Sequence, residues 1–95
     1  MIRSFANSSS RRFYELGKSA GFGGLDIDAA QDLLAALDSA TTLGELGNLR
    51  SLGLHRLKGD RRGQWAMTIN HRWRLCFEFR GGDAFNVEIV DYHRG

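Results

Sequence analysis

Arg72-Trp73-Arg74-Leu75-Cys76-Phe77-Glu78-Phe79 is the stretch that decides the fold. Trp73, Leu75, Phe77 and Phe79 alternate with Arg72, Arg74, Cys76 and Glu78. A period of two puts the large apolar side chains on one face and the charges on the other, so the segment reads as a strand buried on one side. The pattern repeats on both flanks. Upstream, Trp65, Met67 and Ile69 alternate within Gln64–Ile69, and Asn70-His71 supplies a tight turn. Downstream, Arg80-Gly81-Gly82-Asp83 is a hairpin turn with glycines where positive φ is needed. Phe85, Val87 and Ile89 then alternate with Asn86 and Glu88 in a strand over Ala84–Tyr92. Further out, Gly59–Gly63 is a loop, Leu54–Leu57 a short strand, and Ile2–Phe5 a candidate edge strand.

The N-terminal half carries a different period. Asn7-Ser8-Ser9-Ser10 offers side-chain oxygens for the free amides of a first helical turn, which predicts a short helix over roughly residues 9–19 with Phe13, Leu16 and Ala20 on one stripe. Gly21 and Gly23-Gly24 break it. Asp26 or Asp28 caps a second helix running to Asp38, with Ile27, Ala30, Leu33, Leu34 and Leu37 on one face. The connector Thr41–Gly47 holds one more helical turn. The expected fold is α+β, one domain over residues 1–95, with N-terminal helices packed on one face of a mostly antiparallel twisted sheet. Trp65, Trp73, Leu75, Phe77, Phe85, Val87 and Ile89 should face the helices. Arg72 and Arg74 should then stand on the outer face.

A chain of 95 residues buries only about 60–65% of its unfolded surface, so the core is thin. Cys76 is the only cysteine, which rules out an internal disulfide and fits a reducing, cytoplasmic setting. Met1–Phe5 lacks the apolar run of a secretory signal, and no stretch approaches the ~20 apolar residues of a membrane span. The net charge of +2 is unevenly spread: residues 1–48 hold four Lys/Arg and six Asp/Glu, residues 49–95 nine and five. Its densest part is Arg50, Arg56, Lys58, Arg61 and Arg62, interrupted by Asp60. Such a patch is either a solvated face or a surface for a polyanion, of which nucleic acid is the commonest.

Three groups of residues carry chemistry: His55, Arg56, Lys58, Arg61 and Arg62 around the loop, Arg74 on the central strand, and Asp91-Tyr92-His93 at the C-terminus. Cutting RNA without a metal takes a base for the 2′-hydroxyl, cations for the charge building on phosphorus, and an acid for the 5′-oxygen. Histidine suits the proton steps, arginine the phosphate, and an aromatic ring an unpaired base. Each residue also has a plainer reading. His55 can be a surface strand residue, His93 a terminal one, and His71 a turn residue. Arg74 can pair with Glu78 or Glu88, Tyr92 can be rim packing, and Asp91 a strand-end cap. Cys76 reads as a small buried hydrophobe. The three histidines and one cysteine lack metal-ligand spacing, so neither a metal nor a cofactor is expected.

Beyond this reading, His55-Arg56-Leu57-Lys58-Gly59-Asp60-Arg61-Arg62-Gly63-Gln64-Trp65 resembles the H-x-L-K-G-x-R-x-G-x-W signature of HigB-type toxins of the RelE superfamily. Asn70–Phe79 resembles their N-x-x-W-R-[IL]-x-F-x-F strand, and Asp91-Tyr92-His93 their C-terminal D-Y-H. Ile2–Phe5 and Thr41–Leu46 also look family-like, so the resemblance spans nearly the whole chain. The first helix departs from it, with Ser8-Ser9-Ser10-Arg11-Arg12 where relatives are often richer in lysine. The resemblance implies a RelE-like fold and a toxin of a type II toxin–antitoxin module that cleaves mRNA on the ribosome without a metal. It implies a HigA-type helix-turn-helix antitoxin as partner, with operator DNA reached only through that antitoxin, and no membrane. By motif position it marks His55, Asp91, Tyr92 and His93 as catalytic, with Arg74 on the phosphate; by their charge, Arg56, Lys58, Arg61, Arg62 and Arg72 are the expected contacts to RNA or ribosome. The alternative is a non-catalytic module of the same fold, acting through RNA, the antitoxin complex and autoregulation of its operon.

Overall fold

The computed structural model describes residues 1–47 and 53–92. Three helices, α1 (Ser8–Leu16), α2 (Ile27–Ser39) and α3 (Leu43–Gly47), precede four strands, β1 (His55–Arg56), β2 (Trp65–Asn70), β3 (Trp73–Arg80) and β4 (Asp83–Asp91). The strands lie in the order β1-β2-β3-β4, every neighbour antiparallel. This is the α+β arrangement expected from the change of period halfway along the chain.

The helices begin where side-chain oxygens meet free amides. Asn7 accepts the Ser10 amide at 2.9 Å and Asp26 accepts that of Ala29 at 3.0 Å. Such caps are each worth about 1 kcal/mol. Helix α1 stops earlier than its apolar spacing suggests, because Gly17 turns left-handed at φ 71°. Leu16 is therefore 63% exposed, and Ala20 lies beyond the helix; Phe13 alone of the expected stripe is buried. In α2, Ala30, Leu33, Leu34 and Leu37 are buried, whereas Ile27 on the first turn is 40% exposed.

The buried face of the sheet is built from Met67, Trp73, Leu75, Phe77, Ala84, Val87 and Ile89, packed against the helices. Trp65 is partly buried at the margin of this core. The Trp73 indole N–H donates to the Gly23 carbonyl at 3.0 Å. Asn70 accepts the Asp26 amide and donates to the Gly24 carbonyl, both at 2.9 Å, which locks the interhelical loop onto the end of β2. The turn between β2 and β3 falls on His71-Arg72, one residue later than expected, with His71 at φ 45°.

Phe85 does not face the helices. The β3–β4 register shifts between Cys76 and Glu78, where Asn86 adopts φ 53°. Two residues of β4 then oppose one of β3, which reverses the alternation beyond the bulge. Ala84 enters the core instead, and Phe85 lies beside Glu78 on the outer face under the Arg80 guanidinium, 3.9 Å from its ring centre.

The free edge of β4 is covered by the N-terminus. Ile2 and Phe5 form parallel bridges to Ala84 and Val87. The amides of Asn86 and Val87, side by side in the bulge, both bond Ser4, at 2.9 Å to its hydroxyl and 3.0 Å to its carbonyl. Further along, the buried Ser10 hydroxyl accepts the Ile89 amide at 3.0 Å. The expected edge segment thus exists, as paired residues rather than a continuous strand.

Candidate active site on the open face of the sheet

Cross-strand partners share a face, so the register fixes what the side away from the helices presents. One row runs His55, Ala66, Cys76, Glu88 across all four strands. The next runs Thr68, Arg74, Val90. His55 and Arg74 therefore stand on the same face, separated by two strand spacings and two residues, or about 12 Å between Cα atoms. Ala66 and Cys76 form a floor of small side chains, both fully buried.

His55 is exposed, and its Nδ1 lies 2.8 Å from the Gly53 carbonyl. A carbonyl only accepts, so Nδ1 carries a proton and Nε2 is the nitrogen left for exchange. Arg74 is held by two carbonyls, with Nη1 donating to those of His71 and Trp73, the latter at 3.0 Å. Its guanidinium sits 5.6 Å from the centre of the Tyr92 ring. Neither carboxylate suggested as its partner takes it: Glu78 pairs with Arg80 at 2.9 Å and Glu88 with Arg61 at 3.3 Å. Among the described residues, Arg74 is a fixed cation without a counter-charge.

The end of β4 is tied to the β2–β3 turn. Arg72 Nε lies 3.0 Å from Asp91 Oδ1, and the Arg72 carbonyl accepts the Tyr92 amide at 2.7 Å. Burial pushes the Tyr92 hydroxyl above its usual range, as does the neighbouring Cys76 thiol, while Arg61 and Arg74 pull it down. Tyr92 thus stays a neutral donor at working pH. The Cys76 thiol is pushed up to about 11, first by burial, with Arg61 and Arg74 lowering it and Glu88 raising it. That makes it a protonated filler and not a nucleophile. His93 and Arg50 lie outside the described residues.

The cations of the basic loop do not share one face. Lys58 and Arg62 are exposed around a 3-10 turn, Gly59–Arg61, and with Arg56, Leu57 and Gly63 they line a hollow of about 380 Å³. Arg56 points to the helix side of the sheet, 5.3 Å over the Trp65 ring, on the opposite face from His55. Arg61 turns the other way, onto the open face, where Nη1 donates to Gln64 Oε1 at 3.1 Å and Glu88 Oε1 at 3.3 Å. Reading the sequence singled out Glu88 only as a possible partner of Arg74, and Gln64 not at all. The alternation of Glu88 with Val87 and Ile89 was the available signal for its face. A hollow of about 490 Å³ between the N-terminal segment and α1 holds none of the candidates. An open face suits an extended single strand better than an enclosed pocket does, so the side-chain chemistry is the better guide.

No group of three or more His, Cys, Asp and Glu among the described residues has the geometry to hold a metal ion. No helix among them is long and apolar enough to cross a membrane.

Helices on one side of an antiparallel sheet, with a bare face carrying guanidinium, imidazole and phenol groups on the other, are the RelE-like α+β architecture. A family profile described as the RelE-like toxin of the type II toxin–antitoxin system HigB matches residues 3–93. The chain is 42% identical over 93 residues to the Endoribonuclease HigB of Proteus vulgaris, covering 98% of this chain and 100% of that protein. The chain belongs to the family of RelE-like HigB toxins of type II toxin–antitoxin systems.

Proposed function

We propose that the protein is an endoribonuclease that cuts mRNA on the ribosome and thereby blocks translation. The observation that carries this reading is Arg74: a guanidinium held by two backbone carbonyls, beside Tyr92, on the face that also bears His55. A cation fixed in advance stabilises the added charge of a pentacoordinate phosphorus without reorganising. The name of the Proteus vulgaris relative, at 42% identity, favours the same class of reaction here.

In this reading His93, or failing it Asp91, takes the proton of the 2′-hydroxyl. The freed 2′-oxygen attacks phosphorus, Arg74 holds the equatorial oxygens, and His55 gives a proton through Nε2 to the departing 5′-oxygen. The upstream product ends in a 2′,3′-cyclic phosphate and the downstream product in a 5′-hydroxyl. Because Asp91 Oδ1 is engaged by Arg72, Asp91 serves better to hold the tail and His93 to move the proton. Tyr92 stacks on or orients a nucleotide. No step is routed through a metal or cofactor.

Lys58 and Arg62, with Arg56 behind them, grip the backbone of message or ribosomal RNA, a contact that should weaken with added salt. So open a site gains from a partner that positions its substrate, which is the physical case for the ribosome. The 95 residues act as one unit in the cytoplasm. A HigA-type helix-turn-helix antitoxin holds them in check and alone touches operator DNA.

The test is cleavage of a defined message by the purified protein, with and without programmed ribosomes, the new ends mapped by primer extension and a His93→Ala variant run alongside. Cuts requiring both ribosomes and His93 are expected. Cuts on free RNA would keep the nuclease and remove the ribosome. No cuts from folded protein under either condition would leave a non-catalytic binding module.

A further inference from the structure

We propose that Arg61 and Glu88 belong to the reacting face. Arg61 presents a second guanidinium to the scissile phosphodiester, and Glu88 is the positioning residue that aims it. This rests on the ribonuclease reading of that face and deepens it.

The argument starts from where Arg61 goes. In sequence it is one of a run of loop cations, next to Arg62 and three residues from Lys58. In the fold, the 3-10 turn carries it away from them. Its Nη1 is held at 3.1 Å by Gln64, which leads into β2, and at 3.3 Å by Glu88 on β4. A guanidinium held from both flanking strands lies across β3, over the floor of Ala66 and Cys76. That floor is fully buried although it belongs to the face without helices, so side chains of the open face cover it. The opposing pulls of Arg61 and Glu88 on the Cys76 thiol agree with that placement.

Glu88 is itself fixed. Its second oxygen accepts from Asn7 Nδ2 at 3.3 Å, and Asn7 Oδ1 caps α1 through the Ser10 amide at 2.9 Å. The arginine is thus registered to the first helix and to both flanks of β3. A residue that merely grips RNA backbone has no use for a carboxylate, which competes with phosphate for it. A residue that must meet one phosphate in one geometry gains from being pre-set. Both bonds are made through Nη1, which leaves the rest of the fork for two phosphate oxygens. With Arg74 in the neighbouring row, the two rows around Cys76 hold two guanidiniums, Arg61 and Arg74, against one carboxylate, Glu88, an excess that suits a phosphodiester gaining charge.

Single-turnover cleavage of a defined message on programmed ribosomes, measured against enzyme concentration, separates rate from binding. Arg61→Ala should lower the limiting rate about 100-fold and move the half-saturating concentration by no more than about 3-fold. Glu88→Ala should lower the rate about 10-fold, Glu88→Gln should recover most of that loss, and Glu88→Ala should add nothing in an Arg61→Ala background. Melting temperatures of all variants should stay within a few degrees of the parent, since a pair at the rim of the face, 34% and 23% exposed, still reaches solvent and adds little stability. A raised half-saturating concentration at full rate would make Arg61 a peripheral grip. An independent further loss in the double variant would overturn the role of Glu88, and rate losses that track melting would do the same for both residues.

Should the parent protein cut nothing, the ribonuclease reading fails and a second measurement decides this one. An RNA oligonucleotide methylated at its 2′-hydroxyls is titrated while the arginine Nε–H resonances are followed, that of Arg61 being identified by its loss in Arg61→Lys. A shift of that resonance, weakened in Glu88→Ala, supports the assignment; a resonance that does not move overturns it.

Discussion

Arg72 holds the end of β4 twice, by its guanidinium to the Asp91 carboxylate at 3.0 Å and by its carbonyl to the Tyr92 amide at 2.7 Å. Both side chains are substantially exposed, 53% and 38%, so the ion pair contributes only about 0–1 kcal/mol to folding. Its consequence is geometric, because β4 ends at Asp91 and Tyr92 follows it out of the sheet. Arg72→Ala should leave the melting temperature within a few degrees of the parent, yet reduce cleavage about 10-fold by loosening the tail. Exchanging the charges, Arg72→Asp with Asp91→Arg, should restore part of the loss. Full activity in Arg72→Ala would show that the backbone bond alone positions the tail.

His55 can be tested apart from stability because its side chain is exposed. With Nδ1 donating to the Gly53 carbonyl, proton transfer falls to Nε2. His55→Gln should lower the cleavage rate about 100-fold or more and flatten the alkaline limb of the pH–rate profile, with unfolding unchanged. An unaltered pH profile would remove His55 from the proton steps.

Cys76 links stability to alkaline pH. Its thiol sits at about 11 in the fold against an ordinary 9.0. A pKa raised by folding means the folded state keeps a proton that the unfolded state releases. Stability from this source is complete below pH 9 and declines as pH rises toward 11, by up to about 3 kcal/mol. Denaturant unfolding at pH 8 and pH 10.5 should show a larger decline in the parent than in Cys76→Ala. Parallel declines would refute the assignment. Alkylation of the thiol at pH 8 should be far faster in denaturant than in the fold.

The core and the bulge give two further stability tests by denaturant unfolding. Leu37 is fully buried between α2 and the sheet, and Leu37→Ala should cost about 2–5 kcal/mol. Asn86 is held at φ 53°, a conformation that a β-branched residue resists, so Asn86→Val should cost about 1–3 kcal/mol. A neutral Asn86→Val would mean that the bulge relaxes.

Much of this was legible in the chain. The alternation in Trp73–Phe79 identified the central strand, its faces and the outward placement of Arg74, because a one-sided sheet leaves that mark directly in the sequence. What escaped is what depends on pairing. The placement of Phe85 failed because a single bulge reverses the alternation, and an asparagine that tolerates positive φ is its only local trace. The division of the basic loop into Arg61 on one face, Arg56 on the other and Lys58 and Arg62 outside follows from a turn and from a bond to Glu88, 27 residues away. Helix α1 ended early because Gly17 entered the left-handed region, a stop that apolar spacing alone does not register.

The cover on the edge of β4 sets an order of events. Ile2 and Phe5 are made well before their partners Ala84 and Val87, and the bonded pair Ser4 and Asn86 lies 82 residues apart. Local helices can form during synthesis, whereas the Ile2–Phe5 segment has no partner until β4 has been made. Covering this edge of the sheet therefore comes after the local helices, and so wide a separation slows folding. A bulky group fused next to Ile2–Phe5 would crowd that step, and one attached elsewhere on the surface would not.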